Sequence, residues 1–116
     1  MQGAQERLHA ARRNLEEDLP FAAVGLAYYA MLYAARAVLS EEDLYAKTHS
    51  GSWTLFNDAF VRTSRFPADA VSPVQGIRAR REGADYEAEN PSYEQAESDL
   101  RDAERFVAAV AALLEA

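Results

Sequence analysis

The sequence contains no cysteine and only one lysine, Lys47, among its 116 residues. Without cysteine it can form neither a disulfide nor a thiolate metal site, which is typical of proteins of a reducing cytosol. Its longest apolar run, residues 27–35, is far too short to cross a bilayer. It has no glycine-rich phosphate loop, no Ser-His-Asp pattern and no carboxylates at metal-ligand spacing. We therefore expect a cytoplasmic protein with no membrane segment, no metal site and no cofactor.

The length and the apolar content predict one folded domain over residues 1–116. Apolar residues make up 49% of the chain, which is enough to form a core and too many for a disordered chain. A chain of this length forms one core rather than two. The first residues also lack the basic region and apolar run of a secretory signal.

Charge is distributed unevenly along the chain. The formal net charge is −7, which taken alone disfavours a nucleic-acid partner. Across residues 47–81, however, six basic residues stand against two acidic ones, a net charge of +4, so the remainder carries −11. The six are Lys47, Arg62, Arg65, Arg78, Arg80 and Arg81. The guanidinium group of arginine can bind a phosphate through two parallel hydrogen bonds, so the stretch could be a phosphate-binding region. Alternatively, arginine is simply the usual cation of this chain.

Apolar residues recur at helical spacing through most of the sequence, and no alternating strand pattern is present. The pattern predicts helices over about residues 2–18, 20–39, 52–63 and 72–87, and from residue 92 to the end. Two capping boxes mark helix starts, at Ser72-Pro73-Val74-Gln75 and at Ser92-Tyr93-Glu94-Gln95. The predicted fold is all-α, a four-helix bundle of the up-and-down type with an additional short helix.

The fourth predicted helix carries a charged inner face. Its apolar stripe leads from Val74 and Ile77 to Arg81, and helical spacing places Arg78, Arg81 and Asp85 on one side. Arg81 and Asp85 form either an ordinary i,i+4 ion pair or a fixed guanidinium with donors left for a phosphate. Gly83, which weakens a helix interior, indicates close packing or local unwinding there.

Two further segments carry polar groups that are candidates for a role in catalysis or binding. On the second helix, Tyr28, Tyr29 and Tyr33 are expected to be core residues whose hydroxyls reach polar partners, rather than stacking platforms for bases. Arg36 on the same apolar helix needs a partner. In the loop before the third helix, His49 is a candidate general base or RNA contact, or alternatively a loop residue that caps that helix.

Four stretches in this order resemble the small stand-alone prokaryotic members of the HEPN domain family. They are residues 27–39 (AYYAMLYAARAVL), 47–51 (KTHSG), 60–63 (FVRT) and 81–86 (REGADY). The resemblance implies a helical bundle that forms a homodimer, with the fourth-helix motifs of the two copies near each other. It also implies a metal-independent RNase and a minimal nucleotidyltransferase partner in a toxin–antitoxin type module. In such modules the partner silences the toxin by transferring AMP to a tyrosine, here Tyr86.

The resemblance also assigns roles to residues and leaves two main functions open. As a toxin acting on RNA, the protein would use Arg81, Asp85 and Tyr86 as catalytic residues. RNA or nucleotide would be bound by Arg36, Lys47, His49, Arg78 and Arg80. HEPN nucleases carry a histidine four to six residues after the arginine, whereas Arg81 is followed at that spacing by Tyr86, and no histidine follows His49. The alternatives are therefore a non-catalytic module that binds nucleotides or a protein partner, and a dimeric scaffold in which Arg81 and Asp85 form an interface ion pair.

Overall fold

The described part of the chain consists of helices joined by turns and short loops. The computed structural model describes residues 1–86 and 90–116, and for residues 84–86 it describes the backbone alone. Within these residues there is no strand, so the all-α prediction is confirmed. In chain order the elements are α1 (Gln2–Glu16), α2 (Pro20–Ser40), α3 (His49–Phe56), a π-helical segment (Asn57–Val61), α4 (Ala68–Val71), α5 (Val74–Tyr86) and α6 (Tyr93–Glu115).

Helix α2 is the central element and packs against α1, α3, α5 and α6. By length and composition it is the one described helix that could cross a membrane, but 61% of its apolar window is buried inside the protein. Such burial is what a core helix shows, and the apolar circumference of α2 reflects packing on several sides.

A cluster of aromatic side chains fills the space between α3, the π-helical segment and α6. Phe56 lies at its centre, with ring centroids 5.0 Å from Phe66 and 5.5 Å from Phe106. Trp53 packs edge-on against Phe56 and Phe106, and Phe60 closes the cluster. These rings fix α3 on the core and therefore fix the position of the residues at its beginning.

The structure confirms one predicted helix cap and contradicts the other. Ser92 accepts a hydrogen bond from the backbone N–H of Gln95 at 3.0 Å, as expected at the start of α6. Ser72 takes no such part at the start of α5, which begins at Val74; its hydroxyl donates to the backbone carbonyl of Asp69 at 3.2 Å. The reason is the four-residue helix α4, which the sequence reading missed and whose C-terminal end Ser72 occupies.

Candidate functional site

The site begins at the first turn of α3, which is held by Thr48. The Oγ1 of Thr48 accepts from the backbone N–H of Gly51 at 2.9 Å, so the helix starts at His49, three residues earlier than predicted. His49 is thus not the cap of the helix but its first residue. Gly51 is required by space, since a Cβ there would lie 2.8 Å from Thr48 Oγ1.

A chain of hydrogen bonds orients the imidazole of His49. Trp53 Nε1 donates to the hydroxyl oxygen of Tyr28 at 3.1 Å, and this hydroxyl lies 3.3 Å from His49 Nδ1. Tyr28 is fully buried, and because Trp53 already donates to its oxygen, we assign the phenol's own proton to His49 Nδ1, the described group within reach of it. The phenol therefore donates to Nδ1, and the neutral imidazole carries its own proton on Nε2. The prediction of core tyrosines with polar partners is confirmed for Tyr28, whereas for Tyr33 it is wrong, because that side chain is 38% exposed.

Arg81 lies over the same aromatic rings that His49 contacts. Its Nη2 donates to the hydroxyl of Tyr29 at 2.7 Å, and its guanidinium carbon is 4.7 Å from the centroid of the Tyr29 ring. His49 packs edge-on against that ring, with centroids 5.7 Å apart. Tyr29 therefore joins α5 to α3 across α2 and holds the guanidinium by a hydrogen bond and a cation–π contact.

Two further arginines are attached to the first turn of α3 by its serines. Arg36 Nε donates to the buried hydroxyl of Ser52 at 2.9 Å, which supplies the partner that this arginine needs. Arg78 Nη2 donates to Ser50 at 3.2 Å, while its Nε binds Glu82 at 3.1 Å. The serines on either side of Gly51 thus bring arginines from α2 and α5 to the same turn as His49.

The three guanidinium groups lower the pKa of His49. Partial burial is the largest cause, because it disfavours the charged imidazolium, and repulsion by Arg36, Arg78 and Arg81 adds to it, with Glu82 opposing weakly. The imidazole of His49 therefore gives up its proton at a lower pH than an ordinary histidine. We call the whole group the arginine–histidine cluster: Tyr28, Tyr29, Arg36, His49, Arg78 and Arg81.

The cluster concentrates positive charge and hydrogen-bond donors. Each guanidinium has five N–H donors, and the described partners of Arg36 and Arg81 are neutral hydroxyl groups. His49 adds an N–H on Nε2. This chemistry fits an anion with several acceptor oxygens, such as a phosphate. Within the described residues no group of histidines and carboxylates could hold a metal ion.

The structure separates Arg80 from the cluster. Its Nε and Nη2 bind the two carboxylate oxygens of Asp99 on α6 at 2.8 and 2.5 Å. Asp99 is fully buried and also accepts from Gln95 at 3.1 Å. The fork of Arg80 is therefore occupied within the core. Asp99 was missed from sequence, although its position between Ala96 and Ala103 on the apolar stripe of α6 marks it as a buried acid.

The remaining predicted site residues are Lys47, which makes no described side-chain contact with the cluster, and Asp85 and Tyr86, whose side chains the structure does not describe. Lys47 is exposed in the loop just before α3. The side chains of Asp85 and Tyr86 lie outside the described residues, so an Arg81–Asp85 pair stays a prediction. At Gly83 a Cβ would meet no described atom within 4 Å, so close packing does not account for this glycine.

Comparison with known proteins identifies the family. The sequence model of the HEPN domain matches residues 1–113. The chain belongs to the HEPN family. A relative from Methanocaldococcus jannaschii, named "putative toxin", is 35% identical over 104 residues, which are 90% of this chain and 78% of the relative.

Two further relatives cover less of the chain. A UPF0332 protein of Gloeobacter violaceus is 39% identical over 60% of this chain and 55% of its own length. A second "putative toxin" of M. jannaschii is 27% identical over 73% of this chain and 58% of its own length. The family predicted from the four sequence stretches is therefore confirmed, and the match covers the whole arginine–histidine cluster of this HEPN domain.

Proposed function

We propose that this HEPN protein is toxin-like and binds the phosphate backbone of RNA at its arginine–histidine cluster. The observation that supports the proposal most is the convergence of Arg36, Arg78 and Arg81 around a histidine whose pKa is lowered. Because phosphate contacts supply much of the affinity for nucleic acids, three clustered guanidinium groups favour the binding of a single strand. The two relatives named "putative toxin" support the toxin-like part of the proposal.

The proposal is tested by RNA binding with paired arginine variants. We expect Arg81→Ala to lose RNA affinity at low salt, because the variant removes one phosphate-binding fork. Arg62→Ala is the matched control, since Arg62 is exposed, pairs with Asp58 and lies outside the cluster. Fluorescence anisotropy of a labelled single strand measures both. Equal affinities of the two variants would reject the cluster as the binding site.

RNA cleavage at the same cluster is a second candidate function. It is favoured by the lowered pKa of His49, which keeps an uncharged imidazole beside the arginines that would stabilise a phosphorane-like transition state. Cleavage also requires a group that takes the proton of the attacking 2′-hydroxyl. In the tautomer set by Tyr28, His49 donates at Nε2 rather than accepts, so the geometry supports binding more strongly than cleavage.

Cleavage and binding are distinguished by incubating total RNA with the protein in the presence of a chelator. Cleavage by the wild type that is lost in both Arg81→Ala and His49→Gln would assign the nuclease activity to this cluster. Intact RNA with the wild type, together with Arg81-dependent binding, would support the non-catalytic alternative. The chelator keeps contaminating metal-dependent nucleases silent.

We further propose that the protein acts as a homodimer in a module with a minimal nucleotidyltransferase. The relatives named "putative toxin" support an antitoxin partner in general, and the choice of a nucleotidyltransferase rests on the family resemblance. Co-expression with a minimal nucleotidyltransferase, followed by intact-mass measurement, tests AMP transfer to Tyr86 with Tyr86→Phe as the control. An unmodified mass with an active enzyme would reject this partnership, and a monomer in sedimentation would reject the dimer.

A further inference from the structure

An open groove adjoins the arginine–histidine cluster between α3 and α5. Its volume is about 500 Å³, within the range usual for small-molecule sites. It shares Ser50 and Arg78 with the cluster, and these two side chains hydrogen-bond to each other at 3.2 Å. The described lining residues are Ser50, Trp53, Thr54, Asn57, Val71, Ser72, Val74, Gln75 and Arg78.

The chemistry of the groove differs from that of the cluster. None of the described lining residues is acidic, and the single cation, Arg78, lies where the groove meets the cluster. Trp53 and Val74 are buried and give the groove an apolar base. Asn57 and Gln75 are both exposed, and each side-chain amide both donates and accepts hydrogen bonds. Such a surface fits an uncharged planar group with donors and acceptors on its edge.

The backbone geometry at Asn57 sets this residue apart from an ordinary helical position. The regular turns of α3 end at Phe56, and the chain continues in a π-helical turn from Asn57 to Val61. Such wide turns are rare in proteins overall, and those that occur often lie at functional sites. Asn57 is the first residue of this turn and lines the groove, whereas Gln75 lines it from α5.

We infer that the groove binds the base of a nucleotide whose phosphate is held at the arginine–histidine cluster. The inference rests on the proposed function and adds base preference to it. A nucleotide joins base and phosphate through one sugar, so a base site has to adjoin the phosphate site, as this groove does at Arg78. Single-stranded RNA is read on the exposed edges of its bases, and primary amides are suited to that reading. Asn57 and Gln75 are the residues that determine the preference.

The inference is tested with the four RNA homo-oligonucleotides. We expect the wild type to separate its best from its poorest ligand by about fivefold or more, as one good amide–base contact allows. Asn57→Ala with Gln75→Ala should abolish most of this separation while affinity at low salt for the poorest ligand stays unchanged. Gln5→Ala, an exposed glutamine on α1, is the matched control and should retain the wild-type preference. Trp53 is the only tryptophan, so its fluorescence also reports occupation of the groove.

The outcomes separate the groove from the cluster. A wild type without base preference, or a double variant that keeps this preference, would overturn the base site at the groove. Neither result would contradict the phosphate site at the cluster. Lost preference in the double variant with no effect of Arg81→Ala would support the groove and overturn the cluster. A wild type that binds none of the oligonucleotides would overturn both. Because Asn57 and Gln75 are exposed, the variants should unfold like the wild type, which thermal melting checks.

Discussion

At the scale of single residues, the protonation state of His49 reports on the charges around it. Burial and three arginines lower its pKa below the ordinary value of about 6.5. The unfolded chain therefore takes up this proton at a higher pH than the folded one. The contribution of His49 to stability is complete above about pH 6.5 and declines as the pH falls through the lower folded pKa.

Removing one of the arginines should raise the pKa of His49. We expect Arg78→Ala to move it upwards, because a repulsive charge is lost and Glu82 is released from its ion pair. Inorganic phosphate added to the wild type should move it in the same direction by supplying negative charge. Titration of the imidazole resonances by NMR measures both shifts. His9 is exposed on α1 outside the cluster and serves as the internal control; a phosphate response equal at both histidines would argue against a site at His49.

Arg80 is expected to contribute stability rather than RNA affinity. Arg80→Ala leaves the carboxylate of Asp99 buried without its fork, and we expect a loss of about 2 kcal/mol in the free energy of unfolding. The value is lower than for a fully buried pair because the Arg80 side chain is 35% exposed. Urea unfolding measures the loss.

The control for Arg80 is another arginine in a surface ion pair. Arg101 is 74% exposed and binds Glu97 one turn away on α6, so Arg101→Ala should change stability by no more than about 0.5 kcal/mol. A comparable loss in the two variants would mean that the Arg80–Asp99 pair is no stronger than a surface pair. If the Arg80→Ala variant folds but loses much of its RNA affinity, Arg80 contributes to RNA binding as the sequence predicted.

At the scale of elements, two serines with the same sequence signature have different structural roles. Ser92→Ala should destabilise the protein by about 1 kcal/mol, because the first turn of α6 loses its side-chain acceptor. Ser72→Ala should cost less than about 0.5 kcal/mol, since its hydroxyl caps no helix start and the residue is exposed. Thermal or urea unfolding of the two variants compares them directly, and a greater loss at Ser72 would contradict the assignment of the caps.

The same elements decide the position of the site. The cap at Thr48 and the aromatic packing of Phe56 fix α3 at both ends, so the first turn is held beside Tyr28 and Tyr29 of α2. Helix α5 then supplies Arg78 and Arg81, three residues apart on one face. The cluster is thus built on the ends and faces of rigid helices, which preorganises its donors for an anion.

At the scale of the whole molecule, the net charge of −7 masks a local positive site. Four of the five arginines of the basic stretch bind carboxylates, namely Arg62, Arg65, Arg78 and Arg80, whereas the described partners of Arg81 and of Arg36 at the cluster are neutral hydroxyl groups. The surplus of positive charge therefore lies at the cluster and not along the stretch. In the proposed function, RNA is therefore attracted at the cluster alone, and the acidic remainder of the surface opposes non-specific binding.

RNA affinity should consequently depend on salt despite the acidic composition. For single strands the slope of log K against log salt is about −0.7 per phosphate contact, so Arg81→Ala should reduce its magnitude by about 0.7. Arg62→Ala should leave the slope unchanged. Binding titrations between low and physiological salt give both values. A slope near zero for the wild type would show that the cluster binds no phosphate.

Helical periodicity and capping are local properties of the chain, so the all-α class and the extents of most helices could be predicted from the sequence, while the family followed from the resemblance of four short stretches. The sequence also led to Arg78, Arg81, Arg36 and His49, since arginines on apolar helix faces need partners.

Only the tertiary structure decided which cations belong together. Arg81 meets Tyr29 across 52 residues of chain, whereas Arg80, its neighbour in sequence, turns to Asp99 on another helix. Adjacent residues on a helix point in directions about 100° apart, so packing against α2 or α6 assigns one to the site and the other to the core. Charge summed along a sequence cannot carry this distinction, because an ion pair is made in three dimensions.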